Sequence, residues 1–294
     1  MFLSSMSREE LLLAFPDRLV DPWFLASLTL SLLTTGAVAG VLAGLLGVGG
    51  GIVIVPMLFH LFTLLGLEES VRMPLAVGTS LATIIPTALI AARAHHRRGS
   101  VDTALLRQWG PWVLAGVMAG TVLATGSGRG PLLTVLFATV ALLVAVHMAF
   151  VPEGRAFRPR LPGRAGRRGL AVLIGCLSVM MGIGGGTLSV PILSAFSYPI
   201  RQAVGTASAL GLIIAVPATI GFALGGEGAS GRLPLTVGYV NLAGLALIVP
   251  TTLLTAPLGV RLAHLSRPAV LRRIFAIFLF LTSLRMMYSL FQDL

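Results

Sequence analysis

A glycine-rich break occurs twice inside otherwise apolar sequence. Gly47-Val-Gly-Gly-Gly-Ile-Val-Ile-Val-Pro56-Met-Leu58 and Gly182-Ile-Gly-Gly-Gly-Thr-Leu-Ser-Val-Pro191-Ile-Leu193 align at a constant offset of 135 residues, with the glycines and Val-Pro in register. The runs around these breaks, at 24–48, 74–92, 131–150, 169–182, 203–221, 237–258 and 270–290, are long and almost free of charge. A helix needs about 20 apolar residues to cross the hydrocarbon core, so most of these runs are spans. Inside hydrocarbon every backbone N–H and C=O must be paired. A glycine break therefore survives only where it lines a cavity or is buried in protein.

Two alternatives fall on composition. A transmembrane β-barrel shows short strands of alternating polarity, whereas these runs are continuous and rich in Leu and Ala. The net charge of +11 raises nucleic acid as a partner, but the excess is all arginine, with no lysine, and most of it stands in short loops beside spans, where positive charge sets orientation. The partners expected are the lipid bilayer and a small anion, with no nucleic acid. Residues 7–21 carry Arg8, Glu9, Glu10, Asp17, Arg18 and Asp21 and read as an amphipathic lead-in rather than a cleaved export signal. The domain organisation expected is a lead-in at 1–23, a first membrane repeat at 24–151, an Arg-rich linker at 152–168 and a second repeat at 169–294. The single cysteine, Cys176, lies in an apolar run and reads as an inert buried thiol.

Other segments repeat as well. Ala76-Val-Gly-Thr79 recurs as Ala203-Val-Gly-Thr206, followed by Pro86 and Pro217. Arginine bias then separates parallel from inverted repeats. The 93–107 loop carries four arginines and its counterpart at 225–232 one; the next pair reverses this, with one at 126–130 and four at 261–273. Placing 93–107, 152–168 and 261–273 in the cytoplasm requires an odd number of crossings per half. The fold expected is all-α: a polytopic membrane protein of two inverted repeats with broken or re-entrant helices at the GxGGG motifs, in about eight to ten helical segments.

If helix restarts after each glycine run, its free N–H groups and positive dipole end form an anion site without a charged side chain. A plain turn or a packing surface competes with that reading. Gly36, Gly40 and Gly44, and also Gly116 and Gly120, have the GxxxG spacing of close helix packing. The hydroxyls of Thr79, Ser80, Thr206 and Ser208 are candidate donors to an oxyanion, against the competing role of bonding to the preceding helical turn. Asn241, Thr251 and Thr252 are weaker candidates, and Gln108 and Thr121 stand in loosely similar places. All ten acidic residues lie in termini or loops, which speaks against a buried-carboxylate relay. His60 is the candidate for proton coupling. No constellation for intramembrane hydrolysis, no metal set and no cofactor motif is present, so a transporter is expected, with an anion channel as the alternative.

The doubled GxGGGxxxVPxL, the AVGTS and AVGTASA segments and the stretch from Leu271-Arg-Arg-Ile-Phe-Ala to Leu284-Arg-Met-Met resemble the TauE/SafE family of bacterial anion exporters. The resemblance runs from about Leu25 to Met287. It implies export of sulfite or small organosulfonates such as sulfoacetate, driven by an ion gradient. It assigns the motif residues Gly47, Gly49, Gly50, Gly51 and Pro56, with Gly182, Gly184, Gly185, Gly186 and Pro191, to the substrate region.

Overall fold

A computed structural model describes residues 22–46, 50–126, 130–150, 162–226, 235–265 and 268–292. Gly47, Gly49 and most of the lead-in and linker lie outside the described residues, as do the side chains of His147 and His264. Ten helices form among the described residues, five in each half of the chain. The first five are α1 (Pro22–Leu46), α2 (Gly51–Leu64), α3 (Glu69–Arg97), α4 (Thr103–Thr125) and α5 (Gly130–Phe150). The second five are α6 (Arg164–Met180), α7 (Gly185–Ala195), α8 (Ile200–Leu224), α9 (Leu242–Leu265) and α10 (Pro268–Gln292). Among the described residues a hairpin precedes α9. Its strands β1 (Thr236–Val237) and β2 (Val240–Asn241) pair Thr236 with Asn241 and Val237 with Val240.

Four of these helices contain stretches long and apolar enough to cross a membrane, at Leu25–Ala43, Glu69–Arg97, Arg201–Leu224 and Leu242–Gly259. The protein is an all-α polytopic membrane protein. Two boundaries differ from the sequence reading. The loop expected at 93–107 shrinks to residues 98–102, because α3 runs on through His95 and His96 and α4 starts at Thr103. Helix α6 begins at Arg164, so Arg164, Arg167 and Arg168 stand on its first turns.

The packing of the two halves is matched. Helix α1 packs along α9, and α6 packs along α4, so each half lends its first helix to the fourth helix of the other. Helices α3 and α8 pack on each other, as do α5 and α10, while α2 lies on α3 and α7 on α8. Small residues permit these approaches, as the GxxxG spacing suggests. A Cβ at Gly36 or Gly40 would collide with Thr251 or Thr255 of α9, and one at Gly116 or Gly120 with the α6 backbone at Val172 or Cys176. Thr252 and Thr255 donate to the carbonyls of Gly36 and Ala37 at 3.1 and 3.0 Å, adding interhelical hydrogen bonds at the same contact.

The ends of the short helices match too. After α2 the Leu67 N–H bonds to the Phe62 carbonyl at 3.1 Å and the Gly66 N–H to Thr63 at 3.0 Å, with Gly66 left-handed at φ +74°. After α7 the Tyr198 and Ser197 N–H groups make the same pair of bonds to Leu193 and Ser194, but the left-handed residue is Ser197 at φ +59°. A side chain there costs about 1 kcal/mol. Ser197→Gly is therefore expected to raise the melting temperature of the detergent-solubilised protein by a few degrees, read by the loss of monodisperse protein on heating.

Candidate functional site

The second glycine motif divides into two pieces of local structure. Gly182, at φ +64°, closes α6: its N–H bonds to Val179 and the Ile183 N–H reaches back to Ser178, at 3.0 and 2.9 Å. This is the αL ending for which glycine is the least costly residue, followed by a buried apolar residue, Ile183. Gly184 then opens α7, and Gly185 and Gly186 form its first turn. In the first half Gly50 precedes α2, with Gly51 as its first helical residue, but Gly50 is itself helical at ψ −12° where Gly184 is extended at ψ 167°. Neither Gly50 nor Gly184 supplies a capping side chain, and neither helix has an acidic residue in its first turn. Pro56 and Pro191 lie inside α2 and α7, where each removes one N–H from its helix.

The two breaks touch. A Cβ at Gly51 would lie 2.6 Å from the Gly182 carbonyl oxygen and 3.0 Å from the Ile183 Cα, and one at Gly182 would lie 2.9 Å from the Val77 Cα. Ser80 of α3, fully buried, donates to the Gly182 carbonyl at 2.7 Å and ties the second break to the first half. Gly185 in turn packs on α8, at the Ala207 carbonyl and the Gly211 N–H.

The AVGT segments hold the start of α4 and of α9 by one device used twice. The Thr79 hydroxyl oxygen accepts the Asn241 N–H, and that of Thr206 accepts the Asp102 N–H, both at 2.9 Å. Asn241 and Asp102 then cap α9 and α4, accepting from the N–H of Gly244 at 2.6 Å and Leu105 at 2.9 Å. The glycine before each threonine makes room for the incoming loop: a Cβ at Gly78 would collide with the Tyr239 carbonyl, and one at Gly205 with that of Ser100.

Comparison with known proteins decides the family. The model of the family described as Sulfite exporter TauE/SafE matches residues 32–286.

The chain belongs to the TauE/SafE family.

A probable membrane transporter protein of Haemophilus influenzae is 31% identical over 255 residues, covering 86% of this chain and 96% of that protein. One from Methanocaldococcus jannaschii is 25% identical over 248 residues, covering 82% of this chain and 88% of its own length. No solved structure matches the chain. The protein is a membrane transporter of the TauE/SafE family.

Within this TauE/SafE protein the candidate hydroxyls separate by role. Ser208 bonds to the Val204 carbonyl of its own helix at 2.9 Å, whereas Thr79, Ser80 and Thr206 make long-range bonds. Asn241 also donates through Nδ2 to Thr236 at 3.1 Å, so it holds the hairpin to α9. His60 packs edge-on to Phe59, with ring centroids 5.6 Å apart, and its Nε2 has no hydrogen-bond partner among the described residues. Two further serines come to light. Ser178 in the last turn of α6 and Ser189 in α7 are fully buried, lie on either side of Gly182–Gly186 and have hydroxyls with no hydrogen-bond partner among the described residues. Serines scattered in apolar runs leave no periodic trace, so their one signal in sequence is nearness to the motif. Asp102, the counterpart of Asn241, is ionisable. Burial pushes its carboxyl up, but bonds from Tyr198 and the Leu105 and Ala104 N–H groups outweigh this and hold it below the usual range. The Tyr198 phenol is pushed up by burial and by Asp102. The contribution of this link between the two halves is present at neutral pH and declines as pH falls through the lowered Asp102 value.

Proposed function

We propose that this protein is a secondary transporter that exports a small oxyanion, sulfite or an organosulfonate, across the bacterial cytoplasmic membrane by alternating access between two inverted repeats. The observation that carries this reading is the close approach of Gly51, at the start of α2, to Gly182 and Ile183, which lead from the end of α6 into α7, with neither short helix capped by a side chain. Supporting it are the matched packing of the halves and the family's description as sulfite exporters. A two-fold axis in the membrane plane leaves only its own depth unchanged, so segments that meet across it lie at the bilayer midplane. That is where inverted-repeat carriers hold substrate.

Uncapped first-turn N–H groups and helix dipoles supply donors for an anion without a basic residue in hydrocarbon, and the free hydroxyls of Ser178 and Ser189 add two more. No residue in this arrangement performs covalent chemistry; the reading is transport rather than an enzymatic reaction. Rocking of the halves about the break contact exposes the site to each side in turn, with a proton gradient as driving force and His60 as the group that follows it.

The test is uptake of labelled sulfite, sulfoacetate, sulfate and thiosulfate into inverted vesicles, with and without a pH gradient. Saturable uptake of sulfite or the sulfonate with counter-exchange supports a carrier; an ohmic anion current means a channel, and movement of none of the four overturns the substrate class. Ser178→Ala with Ser189→Ala sharpens the site. Each removes a buried hydroxyl that has no partner among the described residues, so melting is expected to hold or rise slightly. Loss of two donors to a charged oxyanion is expected to raise KM by at least about tenfold. Unchanged KM removes these serines from the site.

A further inference from the structure

A cavity away from the glycine breaks lies between α4 and α6. It has a volume of about 390 Å3 and is lined by Arg107, Arg164, Arg167 and Arg168 together with Trp109 and Trp112, with no Asp or Glu among the described residues that line it. Three of these arginines crowd the first turns of α6, where the helix dipole already presents positive charge and Gly163 offers no capping side chain. Like charges gathered at a positive helix end repel unless an anion sits among them. Arg168 stacks on the Trp112 ring at 4.9 Å, and Arg167 is steadied by the Pro162 carbonyl at 2.9 Å. Trp109 is 1% exposed, and its indole N–H has no acceptor among the described residues, an independent sign of a missing oxygen.

The surface beside this cavity says which anion. Arg107 and Pro111, which line it, share one face of α4 with Leu114, Met118 and Val122, all three exposed. Charge at one end and an exposed apolar stripe running from it along the same helix fit a molecule with an anionic head and long hydrocarbon tails. Trp112, partly exposed at the join, is the residue type that settles at the level of lipid headgroups. A small free oxyanion needs neither the stripe nor four guanidinium groups. We propose that the α4–α6 cavity is a binding site for the phosphate headgroup of an anionic phospholipid, with an acyl chain lying along Leu114, Met118 and Val122. Bound there, the lipid bridges α4 of the first half and α6 of the second.

The test uses the purified full-length protein in detergent, titrated separately with cardiolipin, phosphatidylglycerol and phosphatidylethanolamine and read by native mass spectrometry. Near a membrane surface each basic residue contributes about 1 kcal/mol, so Arg164→Gln is expected to weaken binding of the anionic lipids about fivefold. The triple Arg164→Gln, Arg167→Gln, Arg168→Gln is expected to weaken it about a hundredfold. A triple of equal charge loss at the end of α3, Arg93→Gln, Arg97→Gln, Arg98→Gln, leaves affinity within about twofold if the site is local. Equal losses in the two triples, or equal affinity for phosphatidylethanolamine, overturn the proposal. Inorganic phosphate and sulfite at millimolar concentration form the competing arm: displacement of the lipid by either assigns the cavity to a free oxyanion and also overturns it. Arg164 is exposed, so its single variant remains informative if the triple fails to fold. The readout is lipid binding alone, and it stands or falls separately from the transported substrate.

Discussion

Gly182→Val is expected to abolish transport and to destabilise the protein by about 3 kcal/mol or more, the sum of a left-handed side chain and overpacking against backbone. The left-handed φ at this position penalises any side chain, and a branched one most. The added Cβ would also lie 2.8 Å from the Val55 Cγ2 and 2.9 Å from the Val77 Cα, the latter a backbone atom that cannot rotate away. Any adjustment displaces the Gly182 carbonyl, to which Ser80 is bonded, and with it the contact to Gly51. Gly184→Ala is the matched control, because its Cβ would meet the Ile84 Cγ2 at an ordinary 3.4 Å and its φ of −73° suits any residue. Thermal melting in detergent and sulfite uptake in vesicles, measured on both variants, separate backbone geometry from mere membership of the motif. Equal damage from the two substitutions would sink this account.

Gly78→Val and Gly205→Val are expected to be nearly as severe, and severe to the same degree as each other. In each, the new side chain drives into a backbone carbonyl, of Tyr239 or of Ser100, at the turn that leads into a capped helix. Pushing that turn away separates Asn241 from Thr79, or Asp102 from Thr206, and leaves a buried hydroxyl and an N–H unpaired. Overpacking of about 1–3 kcal/mol and an unsatisfied buried group of about 1–3 kcal/mol add, since both arise at one place. The checks are folded yield and melting temperature of the two variants side by side. A large effect in one half with none in the other would show that the shared AVGT device is structural in only one of them.

Much of this architecture was legible in the residues. Run length and lack of charge pointed to the four helices long enough and apolar enough to cross a membrane, and the two AVGT segments make the same hydroxyl contact to the starts of α9 and α4, whereas Gly50 and Gly184 of the GxGGG copies differ in backbone conformation. What the glycines do was half legible: a glycine followed by an apolar residue after an apolar helix is the pattern of an αL ending, and Gly182 with Ile183 forms one. The hydroxyl roles were not legible. Thr79 meets Asn241 across 162 residues and Thr206 meets Asp102 across 104, and no periodicity connects partners so far apart. The run read from 237 to 258 hides a hairpin with strands of two residues each, too short to leave a pattern. Helix α4 was obscured at its start, where residues 103–107 read as the end of a loop although the backbone is already helical.

The exchange of first helices between the halves also sets an order of assembly. Thr252 of α9 bonds to the Gly36 carbonyl of α1 across 216 residues, whereas Arg167 of α6 reaches Gln108 of α4 across 59. At a synthesis rate of about 5–20 residues per second, α1 sits in the bilayer for roughly 10–40 s before the helix that covers its glycine face exists. Throughout that interval its small-residue surface is open to lipid or to whatever insertion factor attends the nascent chain. A fragment that stops after α5 keeps that vacancy permanently, so the first half is a folding unit only in the company of the second.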